Sequence, residues 1–143
     1  MTITNVATRH GYGTFDCDGA HIRAHCRHLA TVVTVRGDID AANVDRVSEY
    51  LWRFTLGSNS VVLDLSDVTH FAAAGVSLVH RLDEDCRAAG VEWTLVASPA
   101  ISGLLGDHGE FPIARSVHEA LRNLSEAIVN RRQLVLPLIK KTA

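Results

Sequence analysis

Three histidines and a cysteine lie close together near the start of the chain, and imidazole and thiolate groups are common zinc ligands. A helix would place His21, His25 and His28 on one face at the spacing i, i+4 and i+7. In the strand that the surrounding residues favour, His28 and Cys26 take the face opposite the first two histidines. Each face then offers two ligands at most and no pair of sulfurs. We therefore predict neither a metal site nor a bound cofactor.

Two carboxylates follow the most apolar part of the chain, at residues 61–65. Asp64 and Asp67 stand where some phosphoryl-transfer enzymes hold Mg²⁺, at the carboxyl end of a parallel strand. No glycine-rich phosphate-binding motif accompanies them, and no lysine precedes Lys140. A small phosphoryl-transfer enzyme is therefore a distant alternative, and we predict no catalytic residue. Hydrogen bonding to loop amides is the commoner role for a carboxylate at the position of Asp64.

The composition and charge of the chain narrow the class of protein. Its 143 residues are 47% hydrophobic and 21% charged, which predicts one folded domain. The net charge of −2 creates no field that would attract nucleic acid. Three widely spaced cysteines predict reduced thiols. The first residues lack a secretory leader pattern and no apolar run reaches the ~18 residues of a membrane span, so we predict a cytoplasmic protein.

Alternating strand and helix patterns must position these side chains. Apolar residues at steps of 3 and 4, such as Val44, Val47 and Leu51, predict amphipathic helices. Helices follow all but the first of the predicted strands, which lie at residues 21–27, 31–36, 61–65, 93–97 and 111–115. Because a helix must carry the chain back between parallel neighbours, we predict an α/β fold. Its sheet is mainly parallel, with four or five strands, an opening hairpin and about four helices.

The two ends of the chain lie outside this pattern. Residues 1–12 are predicted to be a loose arm that could add an edge strand, and residues 13–129 form the domain. Residues 130–143 form a C-terminal tail in which Pro137 is expected to end any helix. This tail could dock on the domain, mediate self-association or touch an anionic membrane surface, and docking is slightly favoured.

Two loop sequences stand out between these elements. Gly37-Asp-Ile-Asp40 follows the second strand, and Asp64-Leu-Ser-Asp-Val-Thr-His-Phe-Ala-Ala-Ala-Gly75 leads from the third strand to the second helix. These loops and the order of elements over roughly residues 20–128 resemble the STAS domain of anti-sigma-factor antagonists. In that family a Gly-Glu-Leu-Asp-like turn and an Asp-Ser-Ser-Gly loop lie side by side. A partner kinase phosphorylates the second serine of the latter loop.

The phosphorylation loop of the family is altered in this chain. Aligning Gly75 with the family glycine places Ala72 at the aspartate. The two serine positions become Ala73 and Ala74, so the phospho-acceptor position, Ala74, has no hydroxyl. Phosphate there would add about −1.5 to −2 charges beside a helix N-terminus, which makes the loop a sensible switch in the family. The alanines keep a small, flat surface and remove that switch.

The resemblance implies a regulatory module, not an enzyme, that binds an anti-sigma factor or a similar kinase-like protein. An orphan STAS scaffold in a larger complex stays open as an alternative, and so does a homodimer. The implied partner-binding residues are Asp38, Asp40, His70, Ala72, Ala73, Ala74, Gly75 and Ser77.

Simpler roles are open for several of these residues. Asp40 could equally cap the first helix, and His70 could merely be solvated. The three alanines could serve only to pack a short loop. Ser77 and Thr69 are the nearby hydroxyls that could restore regulation, although hydrogen bonding within the helix and the turn is favoured for them.

Overall fold

The computed structural model describes residues 14–27, 30–57, 59–106 and 111–142, with side chains up to residue 130. The described strands are β1 (Thr14–Cys17), β2 (Ala20–Arg27), β3 (Ala30–Ile39), β4 (Ser60–Asp64), β5 (Val68–Phe71), β6 (Trp93–Val96) and β7 (Ile113–Ala114). The described helices are α1 (Val44–Thr55), α2 (Ala73–Ala89), α3 (Pro99–Leu105) and α4 (Val117–Thr142).

The strands form one sheet in the order β1-β2-β3-β4-β6-β7. Strands β1, β2 and β3 pair antiparallel, and the remaining pairs are parallel. Strand β5 pairs in parallel with residues 37–39 of β3, beyond the part of β3 that β4 reaches. The α/β fold class and the opening hairpin are therefore confirmed. The described sheet has seven strands, more than the four or five predicted. Strands β1 and β5 were not predicted because their four residues each are too few to show a period in the sequence.

Helices cover the two faces of the sheet unequally. Helices α1, α2 and α3 pack on one face and form the larger core, in which Ile22, Leu63 and Leu95 are buried. Helix α4 packs on the other face, where Leu124 and Val62 belong to a smaller core. Strand β4 is buried along its whole length, as its continuous apolar sequence predicts for a central strand covered on both sides.

Helix α4 contradicts the prediction for the tail. The helix runs without a break from Val117 to Thr142, so the prediction that Pro137 ends it is wrong. A proline costs a helix about 3 kcal/mol because it lacks an N–H and crowds the preceding turn. That cost is local, and the helical backbone is kept on both sides of it. The predicted N-terminal arm, residues 1–12, lies outside the described residues.

Candidate partner-binding site

The pairing of β3 with β5 brings the two loop sequences together. Asp38 stands opposite His70, and Ile39 stands opposite Phe71, after an irregularity in the register. The backbone N–H of Ala72 donates to the carbonyl oxygen of Ile39 at 2.9 Å. The end of β3 and the start of α2 therefore border one surface, as the resemblance implied.

The three alanines form the entry to α2. Ala72 is the N-cap residue and has extended backbone angles, with φ −81° and ψ 172°, but its methyl group offers no cap hydrogen bond. Ala73 is exposed and Ala74 is half-buried. Ser77, one turn further along, is exposed as well. The first turn contains no acidic residue, so this end of the helix presents only small, uncharged side chains.

Gly75 shapes this surface from beneath. It is buried, and a Cβ atom built on it would lie 2.5 to 2.9 Å from three ring carbons of Phe71. No side chain fits there unless the ring of Phe71 moves. Glycine thus allows the first turn of α2 to lie directly against the aromatic ring that ends β5.

Gly37 sets the position of the acidic turn on the other side of the surface. Its φ is +91°, and a Cβ atom would collide with the carbonyl oxygen of Gly19. The next backbone N–H, that of Asp38, donates to the same carbonyl oxygen at 3.0 Å. The hydroxyl of Thr69 donates to the carbonyl of Gly37 at 3.2 Å and approaches the carboxylate of Asp38 at 3.4 Å. Thr69, for which the sequence favoured a role in a turn, instead lies in strand β5 and bonds across to β3.

Asp40 caps a turn rather than a helix. Its Oδ1 accepts a hydrogen bond from the backbone N–H of Ala42 at 2.9 Å, within the turn that precedes α1. The N-cap residue of α1 is Asn43, not Asp40. The carboxylate is half-buried and still borders the surface at the end of β3.

Asn43 is a buried residue of this site that the sequence did not identify. Its Nδ2 lies 2.9 to 3.3 Å from three carbonyl oxygens, and its Oδ1 accepts from the N–H of Asp40 at 3.1 Å. The three carbonyls belong to Cys17, Asp18 and Asp38. The amide therefore joins the β1–β2 turn to the acidic turn. An asparagine directly before the apolar helix pattern signals an N-cap, but these long-range partners are invisible in sequence.

The other candidate groups have structural roles or remain exposed. Asp64 Oδ1 accepts from the N–H and the hydroxyl of Ser66 at 3.0 and 2.6 Å, which is the loop role expected for it. Asp67 and His70 are exposed. Burial raises the pKa of the Cys86 thiol to about 12. Within the described part of the chain, which does not include His28, no three His, Cys, Asp or Glu side chains are grouped as metal ligands would be.

Comparison with known families identifies the fold that holds this surface. A family model for the STAS domain matches residues 21–120. The chain belongs to the STAS domain family. This STAS domain is 60% identical to Osmosensory protein A of Mycobacterium tuberculosis over 146 aligned residues, which cover 97% of this chain and 92% of that protein.

Two solved structures share the fold of this STAS domain. An anti-sigma factor antagonist from Mycobacterium paratuberculosis has a TM-score of 0.65 at 20% identity, covering 73% of this chain and 92% of its own. The anti-sigma factor antagonist SpoIIAA in its unphosphorylated form has a TM-score of 0.53 at 14% identity, covering 78% and 97%. The resemblance read from the loops is thus confirmed at the level of family and fold. No helix within the described ranges is both long and apolar enough to cross a bilayer.

Proposed function

We propose that this STAS domain is a regulatory module that binds an anti-sigma factor or a similar kinase-like protein. The binding surface consists of the acidic turn at Asp38 and Asp40, the exposed His70, and the entry to α2 at residues 72–77. The observation that supports this most directly is the pairing of β3 with β5, which makes these segments neighbours. We further propose that this partner is met in the cytoplasm.

The shape and charge of this surface suit a protein partner. The start of α2 presents the methyl groups of three alanines and one exposed hydroxyl beside a buried glycine and the half-buried Val76, so a partner backbone can approach it closely. Two carboxylates on the neighbouring turn offer acceptors to arginine, lysine or backbone N–H groups. Asn43 holds the backbone of that turn in place, so binding costs little further ordering.

The same surface lacks the serine hydroxyl whose phosphorylation would control partner binding. Residues 72 to 74 are all alanine, so no phosphate ester can form at the N-terminus of α2. Ser77 lies three residues after Ala74, about 4.5 Å further along the helix axis. A phosphate on Ser77 would sit beside the second turn rather than against the first N–H groups. We propose that serine phosphorylation of this loop does not release the partner.

The relatives give the proposal its class of partner. The two solved structures compared above are named as anti-sigma factor antagonists, and the M. tuberculosis relative is named for osmosensing. We therefore propose that the partner is engaged in the response to osmotic stress. Assembly as a scaffold in a larger complex is the second candidate, because the alanines allow constant binding.

Affinity capture separates the two candidates. Immobilised protein is incubated with extract from its native cells, grown with and without added salt, and bound proteins are identified by mass spectrometry. A kinase-like anti-sigma protein among them supports the proposal, whereas its reproducible absence favours the scaffold. Incubation of the captured kinase with ATP should leave residues 70–77 without phosphate, and phosphate there contradicts the missing switch. Magnesium-dependent turnover of phosphate esters that Asp64→Asn abolishes would instead support an enzyme.

A further inference from the structure

One face of the opening hairpin presents a row of arginine and histidine side chains. In β2 the residues that alternate with the buried Ile22 and Ala24 point to the opposite side of the sheet. This is the side on which α4 packs, because His25 stands opposite Val32, which belongs to the smaller core. Arg36 of β3 stands opposite His21 and extends the row. We define the basic face as His21, Arg23, His25, Arg27 and Arg36.

The basic face is open and its charge is only partly balanced. Its arginines are exposed, and none of the ion pairs between described residues includes them. Of the two histidines of this face, His21 has an acidic neighbour, because its Nδ1 lies 2.7 Å from Asp16 Oδ1. The pKa of His25 is lowered by burial and then by the nearby Arg27 and Arg23. An anionic partner would relieve this crowding of positive charge.

The terminal segments of the chain do not have the charge to cover this face. Residues 1–13 contain no aspartate or glutamate and include Arg9 and His10. Residues 131–143 contain no acidic residue and include two arginines and two lysines. Either segment would add positive charge to positive charge. Charge complementarity therefore favours an acidic segment of another molecule over either of these two segments.

Spacing and chemistry select the kind of occupant. Alternate residues of a strand lie about 6.8 Å apart, which is also the repeat of alternate side chains in an extended peptide. Single-stranded nucleic acid would need aromatic stacking platforms, and no phenylalanine, tyrosine or tryptophan is among the residues of this face. An anionic membrane would hold this face only through its charges, at about 1 kcal/mol for each arginine, because the basic face has no apolar side chain to insert. We propose that the basic face binds an extended acidic segment of a partner protein.

The basic face would be a second binding surface for a partner, beside the one formed by Asp38, Asp40, His70 and residues 72–77. A groove of about 400 Å³ lined by His21, Arg36, Gly37, Asp67 and Thr69 lies where the two surfaces adjoin. Asp67 places a carboxylate at that end, so we expect the acidic segment to run along β2 away from it. This proposal does not depend on the identity of the partner that binds residues 72–77.

Direct titration tests this proposal. The probe is a fluorescein-labelled eight-residue peptide of alternating glutamate and threonine, long enough to follow β2, and anisotropy is read at low ionic strength. A peptide with glutamine in place of glutamate is the neutral control. We expect Arg23→Glu combined with Arg36→Glu to weaken binding of the glutamate peptide by about tenfold or more. Arg81→Glu combined with Arg122→Glu makes the same change in net charge at exposed helix positions and should alter binding less than about twofold.

Folding and competing ligands are checked in the same series. Far-UV circular dichroism reports whether the reversed-charge variant folds, and Arg23→Gln combined with Arg36→Gln replaces it if it does not. Absence of peptide binding, binding of the glutamine peptide, or equal weakening by both double variants overturns the proposal. Tighter binding of oligothymidylate, or of vesicles with equal parts phosphatidylglycerol and phosphatidylcholine, also overturns it if the reversed charges abolish that binding.

Discussion

Replacing Asn43 with alanine removes the buried amide that joins the β1–β2 turn to the acidic turn at residues 38–40. The Nδ2 group has two hydrogens for three carbonyl oxygens, and Oδ1 accepts one further bond. The side chain is thus equivalent to three hydrogen bonds, and water does not reach the site because Asn43 is 0% exposed. At about 1 kcal/mol for each bond, with a further penalty for carbonyls left unpaired, we expect a loss of about 3–4 kcal/mol.

Urea unfolding monitored by circular dichroism measures this loss. With an m-value of about 2 kcal/mol/M, the midpoint of Asn43→Ala should fall by about 1.5–2 M. Asn123→Ala removes the same atoms from an exposed position on α4. Its free energy of unfolding should be no more than about 0.5 kcal/mol below that of the wild type, and it could exceed that of the wild type because alanine favours the helix. If the two variants differ by less than about 1 kcal/mol, the bridging role of Asn43 is refuted.

Three further measurements test the packing and titration of other residues. Gly75→Ala should lower the free energy of unfolding by about 1–3 kcal/mol because the added methyl group meets the ring of Phe71. Gly103→Ala is the control and should be neutral or stabilising, because the space around Gly103 is open. Equal effects of the two substitutions would contradict this account of Gly75. Alkylation at pH 8 should modify the exposed Cys26 quickly. It should modify the buried Cys86, whose pKa is about 12, only when the protein unfolds. Rapid loss of both thiols would argue against the burial of Cys86. Because the folded pKa of His25 is lowered, the unfolded chain binds this proton first, so stability falls as pH drops below about 6.5. His25→Gln should lose less stability than the wild type between pH 7 and 5, and an unchanged pH dependence would exclude this contribution.

Much of the fold was predictable because apolar spacing records which face each element buries. The helical steps of Val47 and Leu51 and the continuous apolar sequence of β4 predict the layers that are observed. Strand β5 was missed because its four residues are only partly buried and its pairing with β3 is non-local. The prediction for the end of α4 is wrong because a single proline has a local cost and the helix continues on both sides of Pro137.

The candidate site was only partly predictable. The alanines at 72 to 74 can be read directly, and the family resemblance predicts that they lie near the Gly37–Asp40 turn. The bridging role of Asn43 depends on carbonyls that are 5 to 26 residues away in the chain, so no local pattern shows it. The basic face likewise arises only when β2 and β3 pair and α4 leaves part of that side uncovered.

The central claim is that the entry to α2 contacts a protein partner, and a single added charge tests it most directly. Ala74→Asp introduces a carboxylate in the first helical turn, where it favours the helix by about 0.3–1 kcal/mol, so the fold should remain intact. Ala88→Asp makes the same change at an exposed position of α2, about 21 Å away along the helix axis. In capture from native extract, Ala74→Asp should recover at least about tenfold less of the kinase-like partner, while Ala88→Asp recovers as much as the wild type. Undiminished recovery by a folded Ala74→Asp variant would contradict the proposed surface.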